Sequence, residues 1–306
     1  MTATPLPRHP GESRDPGAAP SLPARIVTFG RMIRFSHSIF AMPFALAAFF
    51  LAVRRDGFDP QKLLWVIVAM VGARSAAMGF NRWLDADIDA LNPRTANREL
   101  PTGALSKSQV LAFVLVSVAA FVGAAWQLNP LCFALSPVAL AIVCGYSFTK
   151  RFTMLSHFVL GLSLAIAPVG AWLAVRGQFE LTPVPIGIAV LLWVGGFDIL
   201  YSCQDVEFDH KLALHSIPVR FGVPRALAFA RVAHVLAIVF LFAVALVEPL
   251  HWLYFIGMTA IAGLFLYEHS LVKADDLSRI DAAFFTVNGW IGVLYLVTVL
   301  TASFLK

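Results

Sequence analysis

Two runs of the chain set acidic or amide side chains four residues apart. The first is Asn81-x-x-x-Asp85-x-x-x-Asp89, and the second is Asp198-x-x-Tyr201-x-x-x-Asp205-x-x-x-Asp209. On an α-helix, residues four apart drift only about 40° around the axis, so each run predicts one acidic stripe, with Asp87 pointing off the first. Asn81 and Tyr201, Asp85 and Asp205, and Asp89 and Asp209 share one offset of 120 residues, which points to an internal duplication. Like charges at this spacing repel, and at a helix C-terminus they also oppose the helix dipole. A cation between the stripes relieves both. Hard oxygen ligands on mobile side chains favour Mg²⁺, held through one or two carboxylates, waters and substrate phosphates. The bland alternative is two solvated helix ends paired with nearby Arg and Lys.

Basic residues stand close to both runs. Asn92-Pro93-Arg94-Thr95-Ala96-Asn97-Arg98 follows the first, and Tyr146-Ser147-Phe148-Thr149-Lys150-Arg151 forms a second cluster. Arg offers a metal-bound diphosphate a bidentate fork and Lys a point charge. Arg74 lies inside an apolar segment, two turns before Asn81. A membrane arginine is costly enough to be a functional candidate; its alternative is an ion pair with an aspartate.

The elements that must position these residues are membrane helices. Of 306 residues, 59% are hydrophobic and 13% charged, against roughly 25% charged in soluble domains. Spans of about 20 apolar residues fall at 36–53, 62–82, 108–127, 130–148, 154–174, 183–203, 226–247, 250–271 and 283–304. The expected fold is therefore an all-α bundle of nine transmembrane helices over 31–306, preceded by a disordered tail over 1–30. Gln127-Leu128-Asn129-Pro130 is the thinnest break between spans. Arg8, Arg14, Arg25, Arg31, Arg34, Arg82, Arg94, Arg98, Lys107, Lys150, Arg151, Lys211, Arg220, Arg225, Lys273 and Arg279 fall on one side. Arg54, Arg55, Lys62, Arg176 and Lys306 fall on the other. By the positive-inside rule the N-terminus and both acidic runs face the cytoplasm, and the C-terminus lies outside. The net charge of +5 carries no basic stripe with interleaved aromatics, which argues against nucleic acid as a partner. Cys132, Cys144 and Cys203 show neither CxxC spacing nor a disulfide framework.

These residues resemble the UbiA superfamily of intramembrane prenyltransferases over nearly the whole chain after residue 30. The family's second motif, DxxYxxxDxxxD, is matched by Asp198, Tyr201, Asp205 and Asp209. Its first, NDxxDxxxD, is matched at Asn81, Asp85 and Asp89, with Arg82 where the family has Asp. Within the superfamily, the run from Gly79 to Gly103 and LHSIPVRFG at 214–222 are most similar to the 4-hydroxybenzoate polyprenyltransferase-like branch, and the Asn-Arg start leans toward its MqnP-like members.

The resemblance implies a magnesium-dependent aromatic polyprenyltransferase of quinone biosynthesis in a bacterial inner membrane. It would take a polyprenyl diphosphate and an aromatic carboxylate acceptor, 4-hydroxybenzoate or 1,4-dihydroxy-6-naphthoate in type. Asn81, Asp85, Asp89, Asp205 and Asp209 would hold Mg²⁺, and Arg94, Arg98, Lys150 and Arg151 the diphosphate. Asp198, Tyr201 and Arg74 would be catalytic, with Asp198 orienting the acceptor or taking up its proton and the acceptor carboxylate pairing with Arg74 or Arg151. The alternatives are another UbiA-type prenyl transfer, an isoprenoid cyclase, or a cation-coupled transporter, for which acids nearer mid-membrane would be expected.

Overall fold

The structure, a computed structural model, describes residues 22–33 and 41–305. Every regular element among them is helical: α1 (Leu22–Met32), α2 (Ala41–Asp56), α3 (Pro60–Leu84), α4 (Ala86–Leu91), α5 (Lys107–Leu128), α6 (Pro130–Thr149), α7 (Ser156–Arg176) and α8 (Pro183–Ser202) come first. A 3₁₀ turn (Cys203–Asp205), α9 (Val206–Lys211), α10 (Ile217–Phe221), α11 (Val223–Val247), α12 (Leu253–Leu271), a π-helical turn (Ala282–Val287) and α13 (Asn288–Phe304) complete the chain.

Local chemistry explains the boundaries. Asp59 accepts from the amides of Gln61 (2.8 Å) and Lys62 (3.4 Å) to open α3, with Pro60 at the first helical position. Ser106 and Gln109 form a reciprocal capping box at α5. Asn129 ends α5 and, through its side chain, accepts from Cys132 N–H to open α6. Gln127-Leu128-Asn129-Pro130 therefore separates two helices.

Among the described residues, seven helices are long and apolar enough to cross a membrane. The expected spans at 36–53 and 250–271 are helical as α2 and α12 but fall outside that seven. The described part of α2 has 16 residues, and Glu268 and His269 dilute the apolar run of α12. The tail expected over 1–30 is helical from Leu22 onward as α1, whose Phe29 stacks on Phe113 at 4.9 Å; residues 1–21 lie outside the described set.

Many apolar side chains on the bundle's periphery are exposed, including Val232, Val235 and Val239 of α11 and Leu266 of α12, as a lipid-facing surface requires. Inside, Phe44 of α2 stacks on Tyr295 of α13 (4.5 Å) and tilts against Trp193 of α8 (4.8 Å). Close approach of α7 and α8 depends on Gly161, where a Cβ would stand 2.2 Å from the Leu191 carbonyl oxygen. Small residues at helix contacts permit such approach. Gly161→Ala is expected to destabilise the protein by about 1–3 kcal/mol, as overpacking does. A lowered unfolding midpoint in detergent would record this; an unchanged midpoint would show that the two helices separate freely.

At the end of the bundle remote from the acidic runs, charges are mutually compensated. Arg55 reaches Glu180 and Glu248, both at 2.7 Å, and lies over the Trp172 ring. Arg176 pairs with Asp56 and with Glu180. This network ties the ends of α2, α7 and α11.

Candidate active site

Each acidic run straddles a helix break. The unbroken stripes expected from the spacing are interrupted at their middle acid: α3 gives way to α4 at Asp85 (φ −95°, ψ 7°), and the 3₁₀ turn gives way to α9 at Asp205 (φ −101°, ψ 4°). The two acids thus share one backbone conformation, in a sparsely populated region frequent in active sites. The ladder still carries through the first break, with Asp85 N–H donating to Asn81 O (2.9 Å) and Asp89 N–H to Asp85 O (2.7 Å).

A cavity of about 200 Å³ gathers Asn81, Asp85, Asp89, Arg94, Arg98, Lys150, Arg151, Asp205 and Asp209. Each of its carboxylates meets a cation of the lining. Arg151 meets Asp85 at 2.8 Å, Arg98 meets Asp89 at 2.6 Å, and Lys150 meets Asp209 at 2.8 Å. Arg94 forks onto both oxygens of Asp205, at 3.0 and 2.5 Å. It also donates to the Tyr201 hydroxyl at 3.1 Å and lies over the Tyr201 ring. Desolvation pulls the Arg94 guanidinium down, but the Asp205 hydrogen bonds and charge, with Tyr201, leave it above its usual range, so it is a cation at any working pH.

The loops aim these cations. Asn92 accepts Arg94 N–H on its side chain (2.9 Å) and Thr95 and Ala96 N–H on its carbonyl, while the Thr95 hydroxyl donates to Asp89 O. Beyond α9, Leu214 N–H donates to Asp209 O and His215 N–H to Lys150 O. The 214–222 run is therefore a strap between the second acidic run and the second basic cluster.

Several placements refine the sequence expectations. Arg82 is buried, directs Nε toward Met32 O and stands 3.9 Å from Asp89. It is absent from the cavity lining. Asp87 is exposed and pairs with Lys107. Arg74 has not found an aspartate; its Nε has no hydrogen-bond partner among the described residues, and the Tyr146 phenol acts on it electrostatically. Tyr146 in turn lies within electrostatic reach of Asp85 and Asp198. Arg74, Asp198 and Tyr201 lie outside the lining of the charged cavity, on its membrane side along α3 and α8.

Three participants carried no signal in spacing. Ser147 accepts from Asn81 at 3.3 Å, and Asn92 organises the first basic loop. His157, at the start of α7, contacts Asp198 at 2.7 Å from 41 residues away.

The donor set fits a hard divalent cation. Asp209 is 0% exposed, yet neither of its oxygens accepts a well-aligned hydrogen bond, Lys150 standing beside it only as an ion pair. That pattern suits Mg²⁺, which takes one or two carboxylates and completes its shell with water and phosphate.

The chain is thus an all-helical bundle whose two broken acidic helices meet around a basic-lined cavity, and comparison with known proteins names the class. The model of the UbiA prenyltransferase family matches residues 41–291. A 4-hydroxybenzoate octaprenyltransferase of Tolumonas auensis is 31% identical over 229 residues, 75% of this chain and 79% of its own. Another, from Aliivibrio fischeri, is 30% identical over 271 residues, 88% of this chain and 93% of its own. Among solved structures, a UbiA homologue from Aeropyrum pernix superposes with TM-score 0.79 at 31% identity, covering 87% of this chain and 98% of that one. A homologue from Archaeoglobus fulgidus, bound to DMAPP and Mg²⁺, superposes with TM-score 0.71 at 20% identity, covering 91% and 100%. The chain belongs to the UbiA prenyltransferase family: it is a multi-pass membrane enzyme that transfers prenyl groups.

Proposed function

We propose that the enzyme transfers a polyprenyl chain from its diphosphate to the ring of an aromatic hydroxy-acid of the 4-hydroxybenzoate type. The observation that carries this is the single cavity in which carboxylates from both acidic runs face four cations. Asn81, Asp85, Asp89, Asp205 and Asp209 would hold Mg²⁺ there, and Arg94, Arg98, Lys150 and Arg151 the diphosphate. Bound there, Mg²⁺ supplies Lewis-acid stabilisation of the leaving diphosphate. The basic side chains exchange their carboxylate partners for phosphate oxygens and stabilise the same developing charge. As the allylic C1–O bond breaks, its electron pair leaves on the diphosphate. A ring carbon beside the acceptor's hydroxyl bonds to C1, and the proton on that carbon passes to Asp198. Arg74, with its Nε unpartnered, is the better mate for the acceptor carboxylate, since Arg151 is engaged by Asp85. The prenyl tail stays against the apolar helices.

In this reading α2 and α12 join the other seven as spans, giving nine. The N-terminus and the active site face the cytoplasm of a bacterial inner membrane, and the product enters quinone synthesis. The names of the relatives at about 30% identity favour 4-hydroxybenzoate, and the Asn81-Arg82 start makes a dihydroxynaphthoate the second acceptor to try.

The test supplies membranes containing the protein with octaprenyl diphosphate, Mg²⁺ and a panel of 4-hydroxybenzoate, dihydroxynaphthoates and homogentisate. Expected is metal-dependent prenylation of one acid with release of diphosphate, abolished by EDTA and restored by Mg²⁺. Diphosphate release without acceptor labelling would mark a cyclase or synthase, and metal-independent turnover would refute the site assignment.

A further inference from the structure

We propose that His157 is a positioning residue, locked as its Nδ1–H tautomer by the strap at 214–222, that holds Asp198 as the anionic proton acceptor. The proposal rests on the reading that Asp198 receives the ring proton. His157 is 2% exposed, and both its ring nitrogens are engaged. The backbone N–H of Ile217 points at Nε2 (3.3 Å). An amide N–H only donates, so Nε2 must keep its lone pair, and a neutral imidazole then carries its proton on Nδ1. That N–H donates to Asp198 Oδ2 at 2.7 Å. An imidazolium would set N–H against N–H at Ile217.

The ring therefore cannot accept a proton from Asp198 without losing its bond to the strap. It fixes one carboxylate oxygen and leaves the other for the substrate, on a side chain still 28% exposed. Ile217 is the first residue of α10, whose start is set by the Ser216 side chain accepting from Val219 N–H. The same strap bonds Asp209 O and Lys150 O through Leu214 and His215. One segment thus joins the diphosphate half of the site to the proton-accepting half. This gives LHSIPVRFG a role that its side chains alone do not reveal, because the working groups are main-chain amides. In the transfer step the C–H pair of the ring carbon returns to the aromatic system, the proton goes to the free oxygen of Asp198, and His157 keeps its own proton throughout.

Purified protein in nanodiscs, with octaprenyl diphosphate, Mg²⁺ and 4-hydroxybenzoate, tests this through three substitutions. An asparagine amide overlays Nδ1 and a glutamine amide overlays Nε2. His157→Phe and His157→Gln are expected to lower kcat about 10–100-fold, as loss of an orienting partner does, with KM for the diphosphate unchanged. His157→Asn keeps the donor to Asp198 and is expected to lose only about fivefold, roughly one ordinary hydrogen bond. Asp198→Asn combined with His157→Phe should fall no further than Asp198→Asn alone. Equal damage in His157→Asn and His157→Phe, full activity in His157→Phe, or additive losses would overturn the proposal. Nitrogen-15 NMR of histidine-labelled protein, assigned by difference from His157→Asn, reads the tautomer without turnover. A proton on Nε2 or on both nitrogens would overturn the lock. An Nδ1–H ring in protein that prenylates no acceptor would overturn the catalytic role and the acceptor reading together, leaving the tautomer intact.

Discussion

Asp205→Asn is expected to lower kcat/KM about 10³-fold, the upper range for deleting a preorganised electrostatic group. Both oxygens of Asp205 accept from Arg94, and the residue is 7% exposed at the middle of the second helix break. Asparagine matches its size but turns one acceptor into a donor. That sets N–H against the Arg94 fork and removes a negative charge from the set assigned to the metal. Folding should survive, because Arg94 is 34% exposed and can turn to water. The measurement is prenylated acceptor formed per folded protein, with retained protein confirmed by its unfolding midpoint. Turnover near wild type would remove Asp205 from the assigned metal set.

Arg94→Lys keeps the charge and removes the fork, and is expected to cost about 10²-fold in kcat/KM, because a point charge does not replace bidentate geometry. Arg94 meets Asp205 with two nitrogens and Tyr201 with a third, while its plane covers the Tyr201 ring. A lysine reaches one of these partners at a time. The loss should appear in KM for the polyprenyl diphosphate and as weaker inhibition by inorganic pyrophosphate. Undiminished pyrophosphate inhibition would show that charge alone, and not shape, recognises the diphosphate at this position.

The acidic and basic residues were legible because their signals are local. Intervals of four persist through the helix breaks, so Asn81, Asp85 and Asp89 still share a side, and the basic loops follow directly in sequence. The breaks themselves were not legible. Nothing in the residue types around Asp85 or Asp205 forbids continued helix. Arg82 stands where the family motif has Asp, and spacing alone did not show that the helix turns it toward Met32 O and the Asp89 carboxylate. His157 was invisible for a different reason. A lone histidine beginning an apolar segment says nothing until Gly161, one turn along, lets α7 close on α8. The span count blurred at α12, where Glu268 and His269 interrupt the apolar run, and at α2, whose described part has 16 residues.

With Mg²⁺ and diphosphate held as proposed, the four ion pairs would couple the uptake of the two ligands. A carboxylate released by its guanidinium needs a cation in exchange, and a guanidinium so released needs an anion. Either partner arriving alone leaves half of the set uncompensated in a partly desolvated cavity, which is costly. In that reading divalent metal and diphosphate are expected to strengthen each other's binding, by the same factor in both directions. Affinity for the metal without diphosphate, or for a metal-free phosphonate analogue, is accordingly expected to be weak. An inhibitor that carries its own cation, or replaces it with a fixed positive group beside its phosphonates, matches the cavity's alternating charges without that dependence.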